Sequence, residues 1–142
     1  MIYCGYQGCG KSTYCKAHPA DTVDLDSSAY IKCEGWEKTY VADALTLSNT
    51  GKKVFISAHQ VVIEHLRAKK IHFELLIPAH DKEAWLHRLE FRYATNPTQG
   101  NWNAIFDFKL NWEQDMKYYR RLKGVVIHEV TAKVVTDIGD FI

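Results

Sequence analysis

Gly5-Tyr6-Gln7-Gly8-Cys9-Gly10-Lys11-Ser12 runs G-x-x-x-x-G-K-S, almost at the start of a 142-residue chain. Each position in such a run has a physical task. The glycines allow a turn tight enough for successive backbone N–H groups to point inward at phosphate oxygens. Lys11 brings a mobile positive charge to the β- and γ-phosphates, and the Ser12 hydroxyl is suited to ligating magnesium. A helix beginning near Lys11 adds the positive end of its dipole at the same place. The expectation is a nucleoside triphosphate site built from Gly5, Gln7, Gly8, Cys9, Gly10, Lys11, Ser12 and Thr13, taking ATP and Mg2+.

Two further groups of residues have matching chemistry. Asp24 and Asp26 flank Leu25 in V-D-L-D-S-S. On an extended strand both carboxylates point the same way. Phosphoryl transfer needs one carboxylate near the metal and one to accept the attacking hydroxyl's proton, and this pair can divide those tasks. The competing reading is a polar strand end running into an Asx or serine turn. Arg88 and Arg92 stand four apart, hence on one helix face, and a guanidinium's planar fork binds phosphate oxygens while staying charged. Their competing reading is a solvated surface helix with pairing to neighbours such as Glu90.

The elements that must hold these groups follow from punctuation and periodicity. Met1 to Cys4 is a short apolar run that reads as a buried strand feeding the glycine loop, and Lys11 to Ala17 reads as a helix stopped by His18-Pro19. Thr22 to Asp26 reads as a second strand. Trp36, Tyr40, Ala44 and Leu47 then mark a helix that stops at Asn49-Thr50-Gly51. Lys53 to Ser57 is a third strand, Val61 to Lys69 a third helix, and His72 to Ile77 a fourth strand closed by Pro78. Asp81 caps a helix running to about Ala94, before Asn96-Pro97. Thr98-Gln99-Gly100-Asn101 is expected to be mobile. Ile105, Phe108, Trp112, Met116 and Tyr119 mark one face of a long helix reaching Leu122. Gly124 to Val130 is a fifth strand, and Val134 to Ile142 fits either a short strand or a final helical turn. Alternation of strand and helix implies right-handed crossovers, a parallel sheet and helices on both faces, with ligands beyond the carboxyl ends of the strands.

Composition bounds the alternatives. The length suits one domain, here residues 1–142, and 46% apolar with 25% charged residues is ordinary for a globular protein. A net charge of +1 argues against avid non-specific binding to duplex nucleic acid. No segment reaches membrane-spanning length and no signal segment precedes the first strand, so a cytoplasmic protein is expected. Cys4, Cys9, Cys15 and Cys33 lack metal-ligand spacing and are expected as free thiols. Cys9, inside the loop, is either a small residue that fits there or an oxidation-sensitive thiol.

The loop G-Y-Q-G-C-G-K-S-T followed by V-D-L-D-S-S resembles the small P-loop kinases of the shikimate, gluconate, polynucleotide and nucleoside-monophosphate kinase group. It is also similar to short phage-encoded kinases whose third strand ends in S-x-H, here Ser57-Ala58-His59. The resemblance implies a three-layer α/β/α fold with a five-stranded parallel sheet, in a bacterial or phage-infected cell. It implies that Asp24 sits nearest the magnesium with Ser12, and Asp26 nearest the acceptor hydroxyl. It implies a lid over about residues 81–103 whose Arg88 and Arg92 close on the phosphates, making Lys11, Asp26, Arg88 and Arg92 the catalytic set. It brings Trp36 and Tyr40 near the acceptor, as base-stacking or core residues, and passes the adenine by Thr131-Ala132-Lys133. Trp85, Trp102, Trp112, Tyr118 and Tyr119 are open to a stacking reading too, with Trp112 and Tyr119 assigned to the core by their spacing. Arg120, Arg121 and Lys123 read as a solvated helix end.

One departure stands out: the third strand ends in Ser57 and His59, with no carboxylate of the Walker B kind. That, with the missing N-K-x-D signature, excludes a motor or switch GTPase. His59 is open to two readings, a phosphate or acceptor ligand and a satisfied strand-end histidine. The implied acceptor is a nucleoside or nucleoside monophosphate, used by a monomer or homodimer. The alternatives are a polynucleotide-end or hydroxymethylpyrimidine-DNA kinase, with nucleic acid as acceptor, and a regulatory NTPase.

Overall fold

The computed structural model describes residues 1–131; Ala132, Lys133 and the segment 134–142 lie outside the described residues. Five strands form one parallel sheet: β1 (Ile2–Gly5), β2 (Thr22–Asp24), β3 (Lys53–Ser57), β4 (Phe73–Pro78) and β5 (Val126–Val130). Their order is β2-β3-β1-β4-β5. The helices are α1 (Lys11–Ala17), α2 (Trp36–Ser48), α3 (Gln60–Ala68), α4 (Lys82–Thr95) and α5 (Gln99–Arg121). This is the expected three-layer α/β/α fold. Among the described residues no helix is long and apolar enough to cross a membrane.

The strand sequences explain the sheet. A parallel strand covered on both faces must be apolar throughout rather than alternating. Ile2, Tyr3 and Cys4 in β1, Val54, Phe55 and Ile56 in β3, and Leu75, Leu76 and Ile77 in β4 are all buried. Tyr3 stacks on Phe55 with ring centroids 5.1 Å apart. β1 takes the centre, pairing Gly5 with Ser57 on one side and Leu76 on the other. The glycine loop therefore emerges at the middle of the carboxyl edge, where three strand ends meet.

Most boundaries shift by one or two residues, and two differences bear on the site. β2 ends at Asp24, and a 3₁₀ turn occupies Ser27–Ala29. The segment expected to be mobile at 98–101 is instead the start of α5. Thr98 caps that helix, its Oγ1 accepting from the Asn101 N–H at 3.1 Å, while Asn101 Nδ2 donates to the Asn96 carbonyl at 2.8 Å. Local capping chemistry here overrides the glycine and the polar composition.

Tyr40 ties the carboxyl ends of β2 and β3 together. The side chain is fully buried in the core, so the base-stacking reading fails for it. Its hydroxyl donates to the Leu25 carbonyl at 2.5 Å and accepts from the Ser57 N–H at 2.9 Å. Tyr40→Phe keeps the ring and strands both backbone groups. It is expected to lower unfolding free energy by about 2 kcal/mol in urea titrations; an unchanged midpoint would remove Tyr40 from this role.

Candidate active site

The loop between β1 and α1 is shaped by close contacts. A Cβ on Gly5 would lie 2.6 Å from Cys9 Sγ and 2.8 Å from Lys11 Cδ. Cys9 is fully buried, which supports its reading as a small packing residue. Gly8 has φ +82° and would place a Cβ 2.8 Å from Leu89 Cδ2, so both backbone and space require glycine there. Lys11 lies back across the loop, Nζ donating to the Gly5 carbonyl at 3.0 Å. Thr13 is exposed on the first turn of α1.

Ser12 and Asp24 meet as their sequence positions suggested. Ser12 Oγ donates to Asp24 Oδ2 at 2.7 Å, joining the first turn of α1 to the end of β2. Two hard oxygens at this spacing suit magnesium, which takes one or two protein oxygens and completes its shell with phosphate and water. Asp26 is placed differently from the alternating-strand expectation. It lies past the strand end, and its Oδ1 accepts from the Ser28 N–H at 3.0 Å, capping the 3₁₀ turn. Its side chain thus forms the Asx turn that was the competing reading, yet the residue stays exposed on the same rim.

His59 stands at the head of α3. Its Nε2 lies 3.1 Å from Ser27 Oγ, and the Trp36 ring meets it edge-on at 5.4 Å. Although the residue keeps an exposed side, loss of water around the ring pushes its pKa below the ordinary histidine value; Asp107 opposes this and Lys11 adds to it.

Arg88 and Arg92 share a face of α4, as their spacing implied. The Arg88 guanidinium sits 5.0 Å over the Trp85 ring and donates to the Thr131 carbonyl at 3.4 Å. Arg92 Nε is buried without a hydrogen-bond partner among the described residues. Burial pushes both guanidinium pKa values down, with Cys9 of the loop opposing the shift on each; Arg88 lowers Arg92 further. Neither forms an ion pair among the described residues, so the pairing with Glu90 is absent. Two partly desolvated cations beside a phosphate loop are matched by an anion.

Sequence reasoning gave Trp85 only a stacking reading and did not single out Ser27 or Asp107. Trp85 is fully buried and donates from Nε1 to the Gln7 carbonyl at 3.1 Å. Ser27 is the partner of His59. Asp107 accepts from Gln7 Nε2 at 3.1 Å and from Asn111 Nδ2 at 2.7 Å. With Asp115, these α5 residues recur every four positions, a polar stripe beside the apolar one that was the available signal. Burial, then the charge of Asp107, pushes the Asp115 carboxyl up to about 6.

A scan against protein-family models finds no match, and no curated protein sequence matches. Among solved structures, the chain is similar to shikimate kinase from Bacteroides thetaiotaomicron, with TM-score 0.54 and 13% identity over 95% of this chain and 88% of that one. That likeness shows the fold: a P-loop kinase-like α/β architecture.

The Asp115 shift has a pH consequence. Its carboxyl is harder to ionise folded than unfolded, so the associated stability is full below about pH 4 and is lost as pH rises through about 6. Asp115→Asn is expected to raise the melting temperature at pH 7.5 relative to wild type and to leave it unchanged at pH 4. Equal effects at both pH values would contradict the assignment.

Proposed function

We propose that the protein is an ATP-dependent phosphotransferase, moving the γ-phosphoryl group to a hydroxyl or phosphate of a small acceptor, a nucleoside or nucleoside monophosphate. The observation that carries this reading is the arrangement around one glycine loop. The Ser12–Asp24 oxygen pair stands on one side, Lys11 crosses the loop, and Arg88 and Arg92, neither ion-paired among the described residues, lie beside it. The name of the structural neighbour, a kinase, agrees in reaction class.

Each residue then has a task. Loop amides and Lys11 bind the β- and γ-phosphates, and Ser12 with Asp24 holds magnesium. A magnesium ion held by these two residues would supply charge neutralisation at the phosphate oxygens. Arg88 and Arg92 supply further positive charge to the transferred group, and cover of the site by the 81–103 segment excludes water as a competing acceptor. Asp26 takes the proton of the attacking hydroxyl; its Oδ1 is already oriented by the Ser28 N–H, which fixes the carboxylate on the rim. His59, held by Ser27 and with its charged form disfavoured, is available as a neutral hydrogen-bonding group for the acceptor.

Lys11→Ala is expected to abolish turnover, and ordinary rates in that variant would overturn the phosphate assignment. Asp26→Asn keeps an oxygen for the Ser28 N–H, so it isolates the proton-accepting role. It should lower kcat by roughly 10²- to 10⁴-fold with ATP affinity nearly unchanged. Mass spectrometry of ATP incubations with nucleosides, nucleotides, shikimate-like alcohols and oligonucleotides identifies the acceptor. Hydrolysis alone across that panel would replace the kinase with a regulatory NTPase.

A further inference from the structure

We propose that Trp85 and Gln7 are positioning residues for the phosphate loop, making α4 and α5 a clamp that shapes the cradle before any nucleotide arrives. The inference rests on the nucleotide-binding reading above and goes beyond it to residues that need never touch ATP.

Four contacts converge on the loop at Gln7 and Gly8. From α4, Trp85 Nε1 donates to the Gln7 main-chain carbonyl at 3.1 Å. Leu89 closes against Gly8 so tightly that a Cβ there would meet it at 2.8 Å. The Gln7 side chain reaches α5, where Nε2 donates to the Ala104 carbonyl and to Asp107 Oδ2, each at 3.1 Å. Trp85 and Leu89 are both fully buried, so their positions are set by the core and not by the loop.

Peptide planarity turns the first contact into control of a phosphate donor. In a trans peptide the C=O and N–H point in opposite directions. The Gln7 carbonyl and the Gly8 N–H belong to one such unit. Holding the carbonyl outward on the indole therefore holds the Gly8 N–H on the opposite side, toward the cradle. The Gln7 side chain adds a second attachment at the same residue, so that unit cannot rotate freely about its flanking bonds. Arg88, resting on the Trp85 ring, is oriented by the same indole that sets the loop. An empty phosphate loop otherwise has little to resist collapse, because its inward amides lack protein acceptors.

The test compares Trp85→Phe and Gln7→Met with Trp112→Phe. The last trims the same core, where the indole meets the Tyr6 ring edge-on and makes no hydrogen bond to Gln7 or Gly8 among the described residues. Calorimetry with ATP·Mg should show Kd raised roughly fivefold to tenfold in Trp85→Phe, which loses one hydrogen bond to the loop, and at least as much in Gln7→Met, which loses two to α5. Trp112→Phe should bind as wild type. In the ligand-free protein, hydrogen exchange at the Cys9 amide, bonded to the Tyr6 carbonyl at 3.1 Å, should quicken in the first two variants only. Wild-type affinity in Trp85→Phe overturns the proposal, as does equal weakening in Trp112→Phe. If wild type itself gives no heat with ATP·Mg, the nucleotide reading falls. Cys9 exchange then still decides whether the clamp exists.

Discussion

A phosphate cradle is a ring of N–H donors aimed at empty space, so the loop that carries it must be held in shape by everything except its own inward hydrogen bonds. This constraint organises the carboxyl edge of the sheet. The loop leaves β1 with the Tyr6 N–H bonded to the Leu76 carbonyl of β4. It is packed from inside by Cys9 against Gly5, and bounded from outside by Trp85 and Leu89. Lys11 satisfies the Gly5 carbonyl and so ties the start of α1 back to the end of β1.

Charged groups of both signs gather around the loop in a way that the net value of +1 conceals. Guanidinium groups from α4 lie beside it, and among the described residues neither forms an ion pair. Carboxylates lie near it as well: Asp24 and Asp26 from the β2 side, and Asp107 from α5, which meets the loop at Gln7. Burial, and then the charge of Asp107, lifts the carboxyl of Asp115 in the same helix toward neutrality. A polyphosphate seated beside the cations and a metal seated beside the Ser12–Asp24 pair would relieve both imbalances together. His59 is influenced by Asp107 and Lys11, which act in opposite directions on its charge.

The helical hairpin shows how local and distant forces divide. Trp85 was open to a stacking role on composition alone, and burial assigns it to the core, where its one polar atom still needs an acceptor. The acceptor it finds is the main chain of Gln7, 78 positions earlier. Tyr119, placed in the core by its spacing, likewise spends its hydroxyl on the Ala58 carbonyl at the end of β3, at 2.6 Å. Both side chains therefore join the helical layer to the loops that form the site. Lys82 with Glu113, at 2.9 Å, adds an exposed link between α4 and α5 that contributes little.

Local chemistry in the chain was enough to determine the glycine loop, the alternation of strands and helices and the shared face of Arg88 and Arg92, while the Ser12–Asp24 meeting was implied by the resemblance. Each depends on backbone preferences, periodicity or a short span between partners. The exit of Asp26 into a capping turn and the start of α5 at Gln99 were weakly legible, because capping competes with propensity within one or two residues. Only the tertiary structure decided the strand order, the Ser27–His59 contact, the burial of Arg92 and the reach of Trp85 and Asp107 to Gln7. Those pairings join residues tens of positions apart, and what selects them is the packing of helices on a twisted sheet, which no local pattern encodes.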